Sequence, residues 1–185
     1  MNGPCDYIDH TMRKLEQYKN KRDFSVSPEP EGKVAKKEKE LRFVVQRHEA
    51  ARLHFDFRLE LGGVLVSWAV PKGPSMNTAD KRLAVHVEDH PVDYLDFEGI
   101  IPKGNYGAGT VKVWDHGIFI PVDGKQQPIS EKKAIGSIKK GELKFVLKGR
   151  KLKGGFVIVR LKDDKNWLLI KHKDEFAVED RYDSE

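Results

Sequence analysis

The sequence predicts a mainly β protein, namely a small antiparallel β-barrel with a short N-terminal helix and one short helix in the second half. Two observations support this fold class. Short runs of alternating apolar and polar residues recur from residue 41 to residue 172, and clusters of Gly, Pro, Asn and Asp separate them. The chain has 185 residues, which is the size of one domain of about 100–200 residues. We therefore expect the strands to share one core.

The first 40 residues divide into a helix and a connector. Met12, Leu15 and Tyr18 stand at helical spacing within residues 9–22, which predicts a short amphipathic helix. Residues 23–40 are rich in Ser, Pro and mixed charges and offer little apolar surface to bury. This composition predicts an extended connector.

The barrel domain is expected to span residues 41–172. A Gly62-Gly63 pair suits a hairpin turn between two of its strands. Residues 130–140 predict the second helix, with Ser130 at its N-cap and Gly141 at its end. Predicted strands cover residues 43–45, 54–59, 64–70, 82–88, 110–114, 143–147, 155–162 and 167–172.

Charge is unevenly distributed along the chain. The whole chain carries 34 basic and 29 acidic residues, a net charge of +5. Residues 41–129 are nearly neutral, with 10 basic and 11 acidic residues, whereas residues 130–172 carry 13 and 4, a net charge of +9. The stretch 132–153 is therefore a candidate for docking an anionic strand, the alternative being a solvated face. Residues 173–185 are acidic and predict a weakly attached tail.

The composition also excludes several classes of protein. A single cysteine, Cys5, excludes an intramolecular disulfide framework and a Cys-rich zinc module. The sequence contains neither an apolar run long enough to span a membrane nor a secretory signal pattern. We therefore expect a cytoplasmic protein without membrane contact.

The densest polar group lies in the first half of the barrel sequence. Alternation places His54, Asp56 and Arg58 on one face of a strand, with apolar residues on the other face. His48, from the preceding loop, adds a third ligand for a divalent ion, and mixed nitrogen and oxygen ligands suit Mn, Fe or Zn better than Ca or Mg. Arg58 stands where a phosphate on that ion needs a fork of donors. A solvated barrel exterior is the alternative, but the third ligand and the arginine favour a site.

A second polar group follows at residues 81–94. If the apolar residues alternate toward the core, Arg82, His86, Glu88 and His90 share a polar face. An arginine and a histidine suit phosphoryl transfer, in which a fixed charge stabilises phosphate oxygens and an imidazole protonates the leaving alkoxide. An exposed strand edge explains the pattern equally well. The apolar residues expected to face the core are Leu83, Val85 and Val87.

Two loops remain ambiguous from their residues alone. Gly104, Gly107 and Gly109 form a Gly-x-x-Gly-x-Gly pattern that precedes a strand. A nucleotide-binding loop should instead follow a strand and open a helix, so a turn or bulge is the better interpretation. Lys72 lies in a Gly- and Pro-rich loop, where it either reaches a phosphate or is simply solvated.

Several ordered blocks cover the region from Leu41 to Gly117: RHEAARLHFDFRLE at 47–60, SWAVPKGPS at 67–75, KRLAV at 81–85, EDHP at 88–91, FEG at 97–99 and YGAG at 106–109. Together they resemble the 3′-phosphoesterase domain of bacterial DNA ligase D and its free-standing relatives. The resemblance implies a small β-barrel that uses manganese to heal DNA 3′ ends. Such an enzyme removes a 3′-terminal ribonucleoside in a reaction that depends on the 2′-hydroxyl. It then removes the remaining 3′-phosphate and leaves a 3′-hydroxyl.

The resemblance also implies a role for individual residues. Arg58 and His90 would contact the scissile phosphate, and Mn²⁺ or another divalent transition metal would be the cofactor. His86 occupies a position that varies in the family and is assigned no role. The implied metal ligands are His48, His54 and Asp56. The residues that would complete the pocket are Lys72, Arg82, Glu88 and Tyr94.

The implied substrate is a DNA or RNA–DNA primer-template 3′ end. Because 185 residues leave no room for a polymerase or ligase domain, we expect a monomer that acts with separate end-joining ligase and polymerase proteins. One alternative is a non-catalytic nucleic-acid-binding β-barrel with structural His and Asp residues. Another is an oxygenase-like barrel, since two histidines and a carboxylate also hold Fe(II), but that interpretation leaves the surrounding Arg and Lys residues unexplained.

Overall fold

Eight antiparallel strands close into a barrel in the computed structural model, which describes residues 15–32, 35 and 40–185. The strands are β1 (Arg42–Glu49), β2 (Leu53–Leu61), β3 (Val64–Val70), β4 (Lys81–Pro91), β5 (Gly99–Ile101), β6 (Gly109–Val122), β7 (Glu142–Gly149), β8 (Lys153–Arg160) and β9 (Asn166–Lys171). The order β1-β2-β3-β4-β9-β8-β7-β6 closes because β1 also pairs with β6, and β5 pairs with the end of β6. The predicted small antiparallel barrel is confirmed.

Two α-helices and one 3₁₀ helix accompany the barrel. Helix α1 covers residues 15–20 of the predicted 9–22, and residues 9–14 lie outside the described part, as does Cys5. Helix α2 spans Glu131–Lys140, and the 3₁₀ helix spans Val92–Asp96. The Oγ of Ser130 accepts a hydrogen bond from the Lys133 amide at 3.3 Å, and Gly141 ends α2 at φ 96°. Both predicted end signals of this helix are therefore confirmed.

Aromatic and branched side chains fill the barrel interior. The rings of Phe57, Phe145 and Phe156 form a stacked row with centroid separations of 5.9 and 6.2 Å. Trp68 packs against Trp167 at 5.6 Å. Because side chains alternate along a strand, the residues between these core positions face outward.

The outer face of the first three strands is covered by other parts of the chain. Val44 and Leu65 are fully buried there, in a second apolar cluster with Tyr18 of the N-terminal helix and Tyr94 of the 3₁₀ helix. The N-terminal segment and the 3₁₀ helix thus form a roof over one wall of the barrel. Polar residues on that wall are enclosed rather than solvated.

The facing of strand β4 differs from the prediction. Leu83, expected in the core, is 42% exposed, whereas Ala84 is fully buried. His86 lies on the core side of the wall, beside Trp68, with ring centroids 5.4 Å apart. The alternation inferred from Leu83, Val85 and Val87 is therefore wrong. Alternation divides residues between two faces but does not say which face is the core, and the pairing of His86 with Trp68 and of Ala84 with Trp167 places His86 and Ala84 on the core side.

A β-bulge explains how β4 still contributes polar residues to the outer wall. Leu65 pairs with His90, and Ser67 pairs with Val87. Two residues along β3 therefore correspond to three residues along β4. The extra residue in β4 reverses the alternation and brings His90 onto the face that carries Val87. The single polar face predicted for β4 is wrong, since Arg82 pairs with the core residue Leu169.

The connector and the tail both pack onto the barrel. Within the connector, Ser27 and Glu29 are buried, so this part of the connector packs onto the rest of the protein. The acidic tail is also bound: Asn77 Nδ2 donates to the carbonyls of residues 179 and 180 at 3.0 and 2.9 Å. Ser184 Oγ donates to the Pro74 carbonyl at 2.5 Å. The expected weak attachment of the tail is wrong, because backbone groups and a small hydroxyl make contacts that its charge does not reveal.

The glycine-rich loop before β6 is a turn, as predicted. Gly104, Gly107 and Gly109 have positive φ angles of 89°, 74° and 148°. The amide of Asn105 donates to the Pro102 carbonyl at 3.2 Å. Among the described residues, no helix is long and apolar enough to cross a bilayer.

Candidate metal and phosphate site

Three potential metal ligands converge on the roofed wall. In the β1–β2 ladder His48 pairs with His54 and Gln46 pairs with Asp56, so their side chains share the outer face. The ligand atoms of His48, His54 and Asp56 all lie within 4.8 Å of one another. His48 belongs to β1 rather than to a loop, and its strand position fixes it opposite His54.

Backbone carbonyls determine which ring nitrogen each histidine presents. A carbonyl can only accept, so His48 Nε2–H donates to the Gly107 carbonyl at 2.9 Å, and His54 Nδ1–H donates to the Arg52 carbonyl at 3.0 Å. In the neutral rings, the other nitrogens carry lone pairs. These face Asp56: His48 Nδ1 lies 3.2 Å from Oδ2, and His54 Nε2 lies 3.6 Å from Oδ1.

Two lone pairs aimed at one carboxylate require a positive charge between them. Either the imidazoles take up protons, or a cation binds to all three groups. The outer nitrogen of a metal-binding histidine usually donates to a carbonyl or carboxylate, which is the arrangement found here for both rings. The ligand set therefore fits a divalent transition metal such as Mn²⁺, Fe²⁺ or Zn²⁺.

The electrostatics of the triad favour an ionised carboxylate. Burial alone would raise the pKa of Asp56, but the charge of Arg58 and hydrogen bonds with both imidazoles hold that pKa well below its usual range. Burial disfavours the charged ring of His54, but the hydrogen bond and charge of Asp56 outweigh burial and raise the pKa of His54. Asp56 is thus an anion, and it attracts either a proton or a metal ion.

Arg58 offers a free donor next to the triad. Its Nε donates to Gln46 Oε1 at 2.8 Å, and its Nη2 lies 3.2 Å from Asp56 Oδ2. Its Nη1 is buried and has no hydrogen-bond partner among the described residues. A buried guanidinium nitrogen without a partner is costly unless a ligand satisfies it. Arg58 is therefore arranged to bind an anion that also reaches the triad.

His90 and Tyr94 lie on the opposite side of the same cavity. The ring of His90 contacts Tyr94 edge-on at 4.8 Å, and the Arg58 guanidinium lies 4.9 Å from the Tyr94 ring. His90 Nδ1–H donates to the Glu88 carbonyl at 2.9 Å, and Nε2 accepts from Arg22 Nη2 at 3.2 Å. Burial and the charges of Arg58 and Arg22 hold the pKa of His90 well below its usual range.

An ion-pair network behind His90 uses residues that the sequence pattern did not reveal. Arg22 donates from Nε to Glu29 at 2.8 Å and from Nη1 to Glu88 at 3.2 Å. Glu29 also accepts from the Tyr94 hydroxyl at 2.9 Å. Burial alone would raise the pKa of Glu88, but its hydrogen bonds and its pairing with Lys21 and Arg22 lower it. The N-terminal segment therefore supplies part of the site.

The cavity enclosed by these groups measures about 270 Å³. Its charged lining comprises two guanidinium groups and three carboxylates, so the described lining carries a net charge of −1. A divalent cation at the triad would change that charge to +1. A bound cation would therefore make the cavity favourable for an anion such as phosphate. The carboxylates are those of Glu29, Asp56 and Glu88, and the guanidinium groups are those of Arg22 and Arg58.

Lys72 and Arg82 are not brought to this cavity. They line another cavity together with the C-terminal tail. Arg82 donates to the carbonyls of Lys72 and Tyr182 at 3.1 and 2.8 Å and to Asp80 at 2.9 Å. Arg82 therefore holds a loop and the tail together in this structure, and the predicted place of Lys72 and Arg82 in the phosphate pocket stays a prediction.

The family profile described as "DNA Ligase D 3'-phosphoesterase domain" matches residues 46–160, more than half of the chain. The chain belongs to this family. It is 49% identical over 179 residues to "Multifunctional non-homologous end joining protein LigD" of Pseudomonas aeruginosa, covering 94% of this chain and 20% of that protein. The corresponding protein of Mycolicibacterium smegmatis is 44% identical over 174 residues, with coverages of 94% and 22%. The chain thus spans about a fifth of the length of these curated relatives.

The phosphoesterase-family resemblance recognised in the sequence is therefore confirmed. Within this 3′-phosphoesterase domain, the structure assembles seven of the nine predicted site residues around one cavity, all except Lys72 and Arg82. Arg22, Glu29 and Gln46 complete it and were missed. The only sequence signal for Gln46 was its place in the alternating strand β1. Arg22 and Glu29 stand in a polar stretch where no periodicity marks them.

Proposed function

We propose that this 3′-phosphoesterase domain is a metal-dependent phosphoesterase that heals DNA 3′ ends for non-homologous end joining. It would remove a 3′-terminal ribonucleoside in a 2′-hydroxyl-dependent step and a 3′-phosphate in a second step, leaving a 3′-hydroxyl. The observation that carries the proposal is the unpartnered Nη1 of Arg58 beside a His-His-Asp group. A phosphate oxygen is the ligand that both need.

The triad residues His48, His54 and Asp56 would hold the metal, for which we propose Mn²⁺. A bound divalent ion would supply Lewis acidity toward a non-bridging phosphate oxygen. Arg58 would donate from Nη1 to another phosphate oxygen and stabilise the charge that develops there. Gln46 keeps the guanidinium in place through its 2.8 Å hydrogen bond to Nε.

His90 would face the same phosphate from the side of Arg22. In the free protein its ring is neutral, because burial and two guanidinium groups lower its pKa. An incoming phosphate dianion would offset those positive charges and allow His90 to take up a proton. In the removal of the 3′-phosphate, a water molecule would attack phosphorus while protonated His90 donates its proton to the leaving 3′-oxygen and the P–O3′ bond breaks. Glu88 would position Arg22, with which it forms an ion pair, and Tyr94 would position Arg58, whose guanidinium lies against its ring.

The substrate we propose is a primer-template 3′ end that carries a ribonucleotide or a phosphate. The relatives are named as non-homologous end joining proteins, which supports a role in that repair process. The partners we propose are separate end-joining ligase and polymerase proteins in the cytoplasm. A monomer suffices for this role, because the described cavity is formed by one chain.

The decisive experiment incubates the protein with two primer-templates, one ending in a 3′-ribonucleotide and one in a 3′-phosphate, with and without Mn²⁺. We expect product only with metal, and we expect His54→Ala to abolish it by removing a ligand. His116→Ala, which replaces an exposed histidine on β6, is the matched control and should retain activity. Tight DNA binding without metal-stimulated turnover would instead support a non-catalytic nucleic-acid-binding barrel.

A further inference from the structure

A second cavity opens beside the triad cavity. It measures about 560 Å³ and shares the lining residues Val87, Glu88 and Tyr106 with the triad cavity, so the two cavities adjoin there. Lys21, just after helix α1, and Lys165, in the turn between β8 and β9, also line it. We call this second cavity the Tyr106 cleft.

Tyr106 presents an aromatic surface where the two cavities meet. Its side chain is 47% exposed. The Lys21 ammonium and the Arg22 guanidinium lie 4.7 and 5.4 Å from the ring centroid. The hydroxyl is 3.4 Å from both Lys21 Nζ and Glu88 Oε2, which are long contacts for hydrogen bonds. Lys21 and Arg22 thus contact part of the ring, and its exposed part is available for stacking.

The backbone fixes Tyr106 relative to the triad. Its neighbour Gly107 has a positive φ of 74° and presents its carbonyl to His48 Nε2 at 2.9 Å. Tyr106 is therefore one residue away from the group that orients a metal ligand. The Tyr106 ring therefore lies next to the place where a phosphate would bind at the triad. The base of an adjacent nucleotide would come close to the ring there.

The charges of the cleft suit a nucleic acid strand only in part. Lys165 is exposed, and its carbonyl accepts from the His86 amide at 2.7 Å, which anchors this turn to β4. Lys21 is paired with Glu88 at 3.0 Å. Asp89 also lines the cleft, so its wall is not uniformly positive. Stacking on Tyr106 would therefore contribute more to binding than charge.

We propose that the Tyr106 cleft binds the 5′ neighbour of the nucleotide that carries the scissile phosphate on its 3′-oxygen, with the base of that neighbour stacked on Tyr106 and its phosphate contacted by Lys165. The proposal rests on the proposed function and extends it from the terminal phosphate to the strand behind it. Stacking on an aromatic side chain accepts every base. The cleft should consequently bind without sequence preference.

The first test compares a single-stranded oligodeoxynucleotide 3′-phosphate with thymidine 3′-phosphate, which has no 5′ neighbour. In Tyr106→Ala, the ratio of kcat/KM for the oligonucleotide to kcat/KM for thymidine 3′-phosphate should fall roughly 5- to 150-fold. Tyr106→Phe keeps the ring and should restore the ratio to within about twofold of the wild type. An unchanged ratio in Tyr106→Ala would overturn the proposal.

The second test measures binding of the same oligonucleotide by fluorescence anisotropy across a salt series, without turnover. Lys165→Ala should reduce the slope of log K against log salt by about 0.7, the value for one contact to a single strand. Lys162→Ala removes an exposed lysine of the same turn that does not line the cleft, and it should leave the slope unchanged. Equal effects of the two substitutions would contradict the proposed contact. If the wild type binds but does not turn over, the proposed function fails while the cleft is still tested.

Discussion

Replacing Gln46 by Leu should destabilise the barrel and disturb Arg58 together. Gln46 is fully buried and makes three hydrogen bonds: from Arg58 Nε at 2.8 Å, to the Tyr94 carbonyl at 3.0 Å and to the Phe97 carbonyl at 2.9 Å. Leucine has a similar volume, so the loss comes from polar groups left without partners rather than from a cavity. At ~1 kcal/mol for each of the three groups, we expect a loss of about 3 kcal/mol.

Urea denaturation followed by fluorescence measures this loss as a lower midpoint with an unchanged slope. The melting temperature should fall by roughly 6–12 °C. Gln127→Leu is the control, because Gln127 is exposed and should change stability by less than about 0.5 kcal/mol. If Gln46→Leu also stayed within about 0.5 kcal/mol of the wild type, the inferred dependence of the site on these three hydrogen bonds would be refuted.

Three further predictions concern other parts of the molecule. Gly73→Ala should destabilise the protein by more than ~1 kcal/mol in thermal unfolding, because φ is +69° and a Cβ would collide with Ser184 of the tail. The control Gly136→Ala, in open space on helix α2, should stabilise the protein slightly. Equal effects of the two substitutions would contradict the packing of the tail against Gly73. His90 should stay neutral in NMR titrations below pH ~6.5, its unfolded value. At pH values between the folded and unfolded pKa of His90, the unfolded state binds more protons, so the contribution of His90 lowers protein stability as pH falls. A titration midpoint for His90 at or above pH ~6.5 would disprove this prediction. Replacing the lysines of residues 132–153 by glutamine should weaken duplex binding and flatten its salt dependence, and unchanged affinity would favour a merely solvated face.

The location of the site explains its chemistry. The ligands stand on the outer wall of the barrel, and the N-terminal segment and the 3₁₀ helix cover that wall. Burial of Arg58 and Asp56 in this space strengthens their interaction with any ion that enters. The covering also explains why Tyr18 lies against the imidazole of His90, with ring centroids 5.0 Å apart.

The grouping of the three proposed metal ligands was predictable because their relation is local. His54, Asp56 and Arg58 alternate on one strand, and the period of two places them on one face whatever the rest of the fold does. His48 was predicted to join them, although from a loop, and the β1–β2 hairpin register places it directly opposite His54. The helix at Glu131–Lys140 was predictable for the same reason, since Ser130 and Gly141 act within one turn of its ends.

Long-range features were not predictable in this way. The bulge in β4 depends on how Leu65 and Ser67 pair with His90 and Val87, and the sequence of β4 alone favoured the opposite facing. Arg22 lies 66 residues from Glu88, with which it forms an ion pair.

The sequence by itself determined the fold class and the grouping of the proposed metal-ligand triad with the adjacent arginine, because strand alternation and short-range end signals depend only on neighbouring residues. Tertiary structure alone decided which ring nitrogens face Asp56, which side of the wall carries His90, and that the N-terminal segment and the tail pack onto the barrel. These properties depend on carbonyls, register shifts and buried charges contributed by distant segments. The interactions that fix these properties form only when the distant segments come together in the folded chain.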